Sequence, residues 1–594
     1  MKRFVNWLHG KLLGRLDTLS GRMEQGPTQR TGDTRVGFLR DAIDAGDMAA
    51  AADLQAVLAH SCGRDPEFAY LCARLAFDQQ RLAECIQHVE RALVLDAANP
   101  DALALLAAAR FGLGDLDGAL TAAERAEHFA PGNPQMLSLA GVILCHRGEL
   151  ERAQKLLDAA FALNPQDAMT VRNLAILHFR AERWQDALQN FRKLSELQPG
   201  SAYALVYSAK CLLRLGCEPE AWQAFDQALS VQDTEFSPLH DYLAALFNYG
   251  RLDAAREQAL AALAAQPEDT LVQLQLANIA LITEGSRPNH WHRYEARLDL
   301  PNLAPGFARE KLWRGPPERP RHLVVRAEQG LGDSFLFCRY LPDLRRACDA
   351  LTFAVPPTLY ELMRHSAIQF EWDATLCQLD DAGSITAIPA AREILLMSAV
   401  ATLNTEVGPN RAPYLAPDPQ RKAQWADRLG PRTRGRLRVG LVWAGNPNRA
   451  EDAERSIAPQ HFSSFGTLDH VEFFSLQKDC LPKYTAQAMP FAMRDLAPAI
   501  ADFADTAAAM CEMDLILSID TAAAHLAGAL GLPCWVLLSK IPDWRWQMGS
   551  IDQPWYGGHR SFRVARQFAW TELLADVAEE LRALVGHQMS EPAQ

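Results

Sequence analysis

"PDALALLAAARFGLGDLDGALTAAERAEHFAPGN", residues 100–133, decides the fold of the first half of this chain. It reads as two helices with a glycine, Gly114, at the turn between them and a proline, Pro131, ending the second. Ala119 and Ala126 are small enough to let the two helices approach closely. The same 34-residue frame starts at Pro66, Pro100, Pro134, Ala168, Ala202 and Phe236, and six frames run end to end from Pro66 to Asp269. Position 20 of the frame holds Cys85, Ala119, Ala153, Ala187, Ala221 and Ala255. Position 27 holds Ala92, Ala126, Ala160, Leu194, Ala228 and Ala262. Glycine recurs at position 15 (Gly114, Gly148, Gly216, Gly250) and proline at position 32 (Pro131, Pro165, Pro199, Pro267).

This pattern resembles the tetratricopeptide repeat. A weaker unit lies upstream in "LRDAIDAGDMAAAADLQAVLAH", and a partial one runs from Thr270 to Leu300 through "HWHRYEARL". The resemblance implies an α-helical solenoid over 31–300 that stacks into a right-handed superhelix with a concave face for a protein or peptide. His60, His88, His128, His146 and His178 occupy unrelated repeat positions and read as packing or surface residues.

The totals limit the rest. A chain of 594 residues is too long for one core. Its net charge of −13 argues against nucleic acid as the main partner. The 12 cysteines form no CxxC pair, so they read as reduced, mostly buried thiols in a cytoplasmic compartment. No apolar run reaches the ~18 residues of a membrane span. Within residues 1–30, Phe4, Trp7, Leu8, Leu12, Leu16 and Leu19 share a helical face beside Lys2, Arg3, Lys11 and Arg15. Such a helix docks on the next domain or a partner, or lies on a membrane surface through residues 1–20, which would make the protein peripheral at the inner membrane.

Past Leu300 the rhythm stops. "LAPGFAREKLWRGPPERPRH" reads as a linker, and strands then alternate with helices. Candidate strands are "HLVVRAE", "ALTFAVP" and "EILLMSA", then, after a proline-rich break at 408–419, "LRVGLVWAG", "VEFFSLQK", "MDLILSID" and "PCWVLLS". Continuous apolar runs of this length predict parallel sheets covered on both faces. Two α/β units follow, 307–420 and 436–585, with a cleft expected between them at the strands' carboxyl ends.

Four stretches carry a second resemblance: "AEQGLGDSFLFCRYLP", "VGLVWAGNPNRAEDAERSI", "DLILSIDTAAAHLAGALGLPCWVLL" and "PDWRWQMGSIDQPWYGGHRSFR". In this order they are similar to glycosyltransferase family 9, the heptosyltransferase-like group, from Phe307 to Leu584. That resemblance implies a GT-B pair of Rossmann-like domains, with the acceptor on the first and a nucleoside-diphosphate sugar on the second.

The residues fit such chemistry one by one. Gly330 and Gly332 allow positive φ and close approach of a ligand. Asp333 starts the next helix, so it is a helix cap or the general base that the resemblance implies, and the two roles are compatible. Glu328, at the end of the strand, is a reserve base. In the second unit Asp520 ends a strand and a helix begins at Thr521. The free N–H groups of Thr521, Ala522 and Ala523 suit a diphosphate. The resemblance adds Asp520 and His525 to the donor site, and His525 also reads as a histidine packed between helix and sheet. Asn446 and Asn448 suit a turn near phosphate. Arg455 matches a basic position near the donor phosphates, and a solvated arginine is its other reading. Gln477 and Lys478 end the next strand. Trp544 is a candidate to stack on a nucleobase and Arg545 to reach phosphate, with Trp546 packing beneath.

No Asp-x-Asp stands at a strand end, so no metal and no cofactor are expected, and arginine with a helix dipole takes the cation's place. The function expected is an inverting transferase that moves a sugar to a protein or glycan recruited by the repeats. The alternative is a repeat scaffold whose α/β part is inactive.

Overall fold

The computed structural model describes residues 34–590 apart from 234–235, 301–302, 305, 381–382, 387, 390, 406–411, 446–451, 479–483, 486–487, 549–554 and 567–568. The amphipathic segment read at 1–30 lies outside the described residues. The chain divides into two compact units between Tyr242 and Leu243. That division falls inside the sixth repeat frame, upstream of the proline-rich stretch near residue 300.

The first unit is helical. Twelve helices run from Thr34 to Ser230, paired into hairpins. Each frame opens with a polar residue at the preceding position. Asp65, Asn99, Asn133, Asp167 and Ser201 accept main-chain N–H bonds at the start of the next helix. Gly114 and Gly148 close their helices in the left-handed conformation, at φ 87° and 84°. Gln80 and Glu182 occupy the same frame position at φ 61° and 57° without being glycine. The small residues Ala119, Ala153, Ala187 and Ala221 are fully buried between the paired helices. An added methyl would therefore meet a backbone or side chain already in van der Waals contact.

The second unit begins with helices and then turns to α/β. Strands β1 (Leu323–Arg326), β2 (Leu351–Val355), β3 (Thr375–Gln378) and β4 (Arg392–Leu395) form a four-stranded sheet in the order β3-β2-β1-β4. A six-stranded sheet follows from β5 (Leu437–Val442), β6 (Val471–Ser475), β7 (Met493–Asp495), β8 (Leu515–Ile519), β9 (Cys534–Leu538) and β10 (His559–Arg563), in the order β10-β9-β8-β5-β6-β7. Every pairing is parallel. Counted from β5, the second order is the doubly wound 3-2-1-4-5-6 arrangement of nucleotide-binding sheets. In each sheet the winding reverses beside its first strand, between β1 and β4 and between β5 and β8.

Both faces of the larger sheet are covered, and strand alternation shows it. Trp535 and Leu537 of β9 point into one core with Val577 and Leu581 of the C-terminal helix. Cys534, Val536 and Leu538 point into the other. That second core is continuous through the four-stranded lobe and takes in Ala277, Leu281, Trp291 and Tyr294 from the preceding helices. Trp291 meets Phe337 at 5.5 Å and Trp544 at 5.1 Å, both edge-on. The segment read as a partial last repeat is thus packed into the α/β core.

Candidate functional site

The turn after β1 carries the first half of the site. Its left-handed residue is Gln329, at φ 57°, and not Gly330, which lies at φ −88°. Neither Gly330 nor Gly332 takes a positive φ. Gly332 is required by proximity instead: a Cβ there would stand 2.9 Å from His525 Cδ2 and 3.3 Å from Ala522 Cα. The glycine turn therefore meets the start of the helix Ala522–Ala529 of the other lobe. Because the clash is with the ring of the buried His525, with the Ala522 backbone in tight contact just beyond, Gly332→Ala is expected to destabilise the second unit by about 1–3 kcal/mol, read by denaturant unfolding of the full chain. An unchanged midpoint would mean that the two lobes do not pack at this turn.

Asp333 is 5 % exposed and accepts hydrogen bonds at both carboxylate oxygens. Its Oδ2 accepts from Gly330 N at 3.1 Å, which caps the helix Leu331–Phe337. Its Oδ1 accepts from Arg545 Nε at 2.8 Å and Nη2 at 2.5 Å. Arg545 comes from the loop after β9, so the ion pair bridges the two lobes. The same guanidinium donates from Nη1 to Asp543 Oδ1 at 2.6 Å and lies 4.2 Å above the Trp544 ring. Burial works against its charge, but Asp333, Asp543, Tyr294 and Asp520 outweigh that and hold its pKa well above the ordinary value. Arg545 is thus paired with Asp333 across the lobes and lies within electrostatic reach of Asp520.

Asp520 ends β8. Burial and the Asp543 carboxylate raise its pKa, while Arg455 and Arg545 oppose the shift. Arg455 does not reach out freely. It donates from Nη1 to the Asp520 main-chain oxygen at 2.9 Å and from Nε to Asp452 Oδ1 at 3.2 Å. Asp452 in turn accepts from Ser456 Oγ at 2.7 Å, and Ser456 Oγ accepts from Gly445 N at 3.0 Å. The chain thus fixes Arg455 across the ends of β5 and β8, beside their switch point. Asn446 lies outside the described residues.

His525 is buried and stacks on Trp546 at 4.9 Å and 19°. Its Nδ1 shares a 3.1 Å hydrogen bond with Tyr556 Oη. Burial first, and the charges of Arg545, His559 and Arg339 after it, hold its pKa well below the ordinary histidine range, so the ring is neutral. Thr521 places Oγ1 3.1 Å from Ser518 Oγ, and Ala522 lies under Gly332. Arg339 ties the lobes behind this contact, donating to the Trp555 carbonyl at 3.0 Å and to Tyr414 Oη at 2.9 Å.

Four candidates turn out to be occupied elsewhere. Glu328 accepts from Arg297 at both oxygens, Nη2 to Oε1 at 2.8 Å and Nε to Oε2 at 3.1 Å, and Oε1 also accepts from Met397 N at 3.0 Å. This pairing removes it from the candidate bases. Gln477 accepts from Trp443 N and Ala444 N, at 3.0 and 2.8 Å, and so braces the turn after β5. Lys478 donates to the carbonyls of Ile500 and Ala501, at 2.7 and 3.1 Å. Trp544 is buried against Trp291, Tyr294 and Phe337, which leaves Arg545 over its ring in place of a base.

The sequence reading missed Tyr294, Arg297 and Asp543. The first two sit in "HWHRYEARL", where repeat phasing masked their role. Tyr294 meets the Trp544 ring edge-on at 5.6 Å, with the Arg297 guanidinium 5.4 Å over its own ring, and burial raises its pKa. The signal for Asp543 was its place directly before "WRW".

A tetratricopeptide repeat profile matches residues 73–134, 140–191 and 172–238. The chain is 28% identical over 552 residues to Protein FlbA of Caulobacter vibrioides, covering 85% of this chain and 89% of that one. Among solved structures, YrrB, described as a tetratricopeptide-repeat protein with an unusual peptide-binding site, is 19% identical, with a TM-score of 0.26 over 31% of this chain and 96% of its own. The Cut9–Hcn1 hetero-tetramer is 16% identical, with a TM-score of 0.37 over 47% of this chain and 54% of the other. The helical array of the first unit is a tetratricopeptide-repeat solenoid.

Proposed function

We propose that the α/β part is an inverting glycosyltransferase of the GT-B kind, using a nucleoside-diphosphate sugar, and that the repeats recruit its protein or glycan acceptor. The observation that carries this reading is the ion pair of Asp333 with Arg545, which joins the turn after β1 of one parallel sheet to the loop after β9 of the other, with Asp520 beside the second sheet's switch point. Ligands of such sheets bind outside the carboxyl ends of the strands at that point.

In the reaction, the acceptor hydroxyl gives its proton to the Asp333 carboxylate as its oxygen bonds to the anomeric carbon. The bond from that carbon to the β-phosphate oxygen breaks on the opposite face, and the nucleoside diphosphate leaves with the electron pair. Arg545 and Arg455 supply positive charge for the leaving group, with no metal required by the scheme. Neutral His525 and Trp546 form the wall behind the Thr521–Ala522 turn.

A second reading has its own support. Asp333 holds three hydrogen bonds and Glu328 is locked to Arg297, an arrangement suited to an inactive α/β part that serves as a scaffold. Thermal unfolding of the full chain against a panel of nucleotide sugars separates the two. A donor raises the unfolding temperature by mass action, and slow donor hydrolysis accompanies it. No shift with any nucleotide sugar would leave the scaffold reading standing.

A further inference from the structure

The pairing of Asp333 with Arg545 poses a problem for a base. A carboxylate has about four lone-pair directions, and Asp333 uses three of them on Gly330 N, Arg545 Nε and Arg545 Nη2. The helix cap at Oδ2 is compatible with catalysis, because it orients the group. The bonds to Oδ1 are not, because they occupy the oxygen left to face an acceptor.

Arg545 is placed to be drawn away. It hangs between the two lobes, with Asp543 on one side, Asp333 on the other and Asp520 within electrostatic reach. Its fork geometry matches phosphate oxygens as well as it matches a carboxylate, and a diphosphate carries more charge than one carboxylate. Asp543 anchors it from its own loop, through both Nη1 and the Arg545 main-chain N–H, the latter at 3.0 Å. The side chain can therefore leave Asp333 without leaving the site.

We propose that Arg545 is a latch on Asp333 that the donor opens: the diphosphate of an arriving nucleotide sugar takes the guanidinium, and Asp333 becomes a working base only then. This rests on the transferase reading above and adds an order to it, donor before acceptor. In the unloaded protein the base is held off, so no acceptor hydroxyl is activated without a sugar to receive it.

The test uses the full chain and measures calorimetric affinity for UDP, ADP and GDP. Asp333→Asn removes the guanidinium's competing partner, and the diphosphate that binds wild type is expected to bind this variant about tenfold more tightly. Asp543→Asn is expected to tighten binding too, to a smaller extent, and it carries the test if Asp333→Asn fails to fold. Arg545→Gln should weaken binding and erase the gain from either substitution. Equal affinity in wild type, Asp333→Asn and Asp543→Asn would overturn the latch and leave the transferase reading intact. Failure of every one of these proteins to bind any of the three diphosphates would overturn both.

Discussion

Under the proposed transferase reading, Asp333→Asn is expected to abolish sugar transfer while leaving the fold in place, a loss of about 10²–10⁴-fold or more in the single-turnover rate. Asparagine keeps the volume of the side chain and still offers an oxygen to Gly330 N, so the helix Leu331–Phe337 retains its cap. What it loses is the capacity to take a proton. The variant separates two roles that the geometry combines, capping and proton acceptance. A carboxylate with only a structural role, replaced in this way, would spare the rate of the folded protein. A base would lose it, with donor binding retained or tightened. Single-turnover transfer with saturating donor is the measurement, and an undiminished rate removes Asp333 from the chemistry.

The largest expected effect on stability lies at Arg297→Met. Arg297 is 1 % exposed and Glu328 is fully buried. Together they use Ser398 Oγ at 2.7 Å, Met397 N and Glu295 to satisfy their remaining polar atoms. Removing the guanidinium strands a buried carboxylate, and breaking such a pair from one side costs about 3–5 kcal/mol. The double change Arg297→Met with Glu328→Gln should recover much of the loss, because the charge that needed a partner has gone. Urea unfolding of the three proteins tests this. A single variant within about 1 kcal/mol of wild type would mean that water reaches Glu328. Because Glu328 adjoins the left-handed Gln329, the single variant should also slow transfer through misplacement of the turn that carries Asp333.

The repeats were readable because their signal is local and recurs every 34 residues. The same holds for the buried strands, whose continuous apolar runs are visible in "HLVVRAE" or "LRVGLVWAG". The strands that escaped notice are β3, β7 and β10, all at or next to a sheet edge. With one face or edge half-exposed they need no apolar run, as "TLCQ", "MRD" and "HRSFR" illustrate. At the candidate site, residue types pointed to turns but not to the partners each side chain takes. Nothing in the sequence says that Arg545 faces Asp333, 212 positions away, or that Arg297 claims Glu328. Gly332 was read as room for a ligand and is room for a helix. Pairing across lobes is a property of topology, and spacing along the chain does not encode it.

The seam between Tyr242 and Leu243 has an evolutionary reading. The helices beyond it share a hydrophobic interior with the sheets, and Tyr294 and Arg297 belong to the surroundings of Asp333 and Glu328. Upstream of it, whole hairpins can be duplicated or deleted by recombination without altering a side chain of that shared interior. The length of the array can then change at the pace of gene rearrangement, while the last hairpins stay under the slower constraint that governs the sheets.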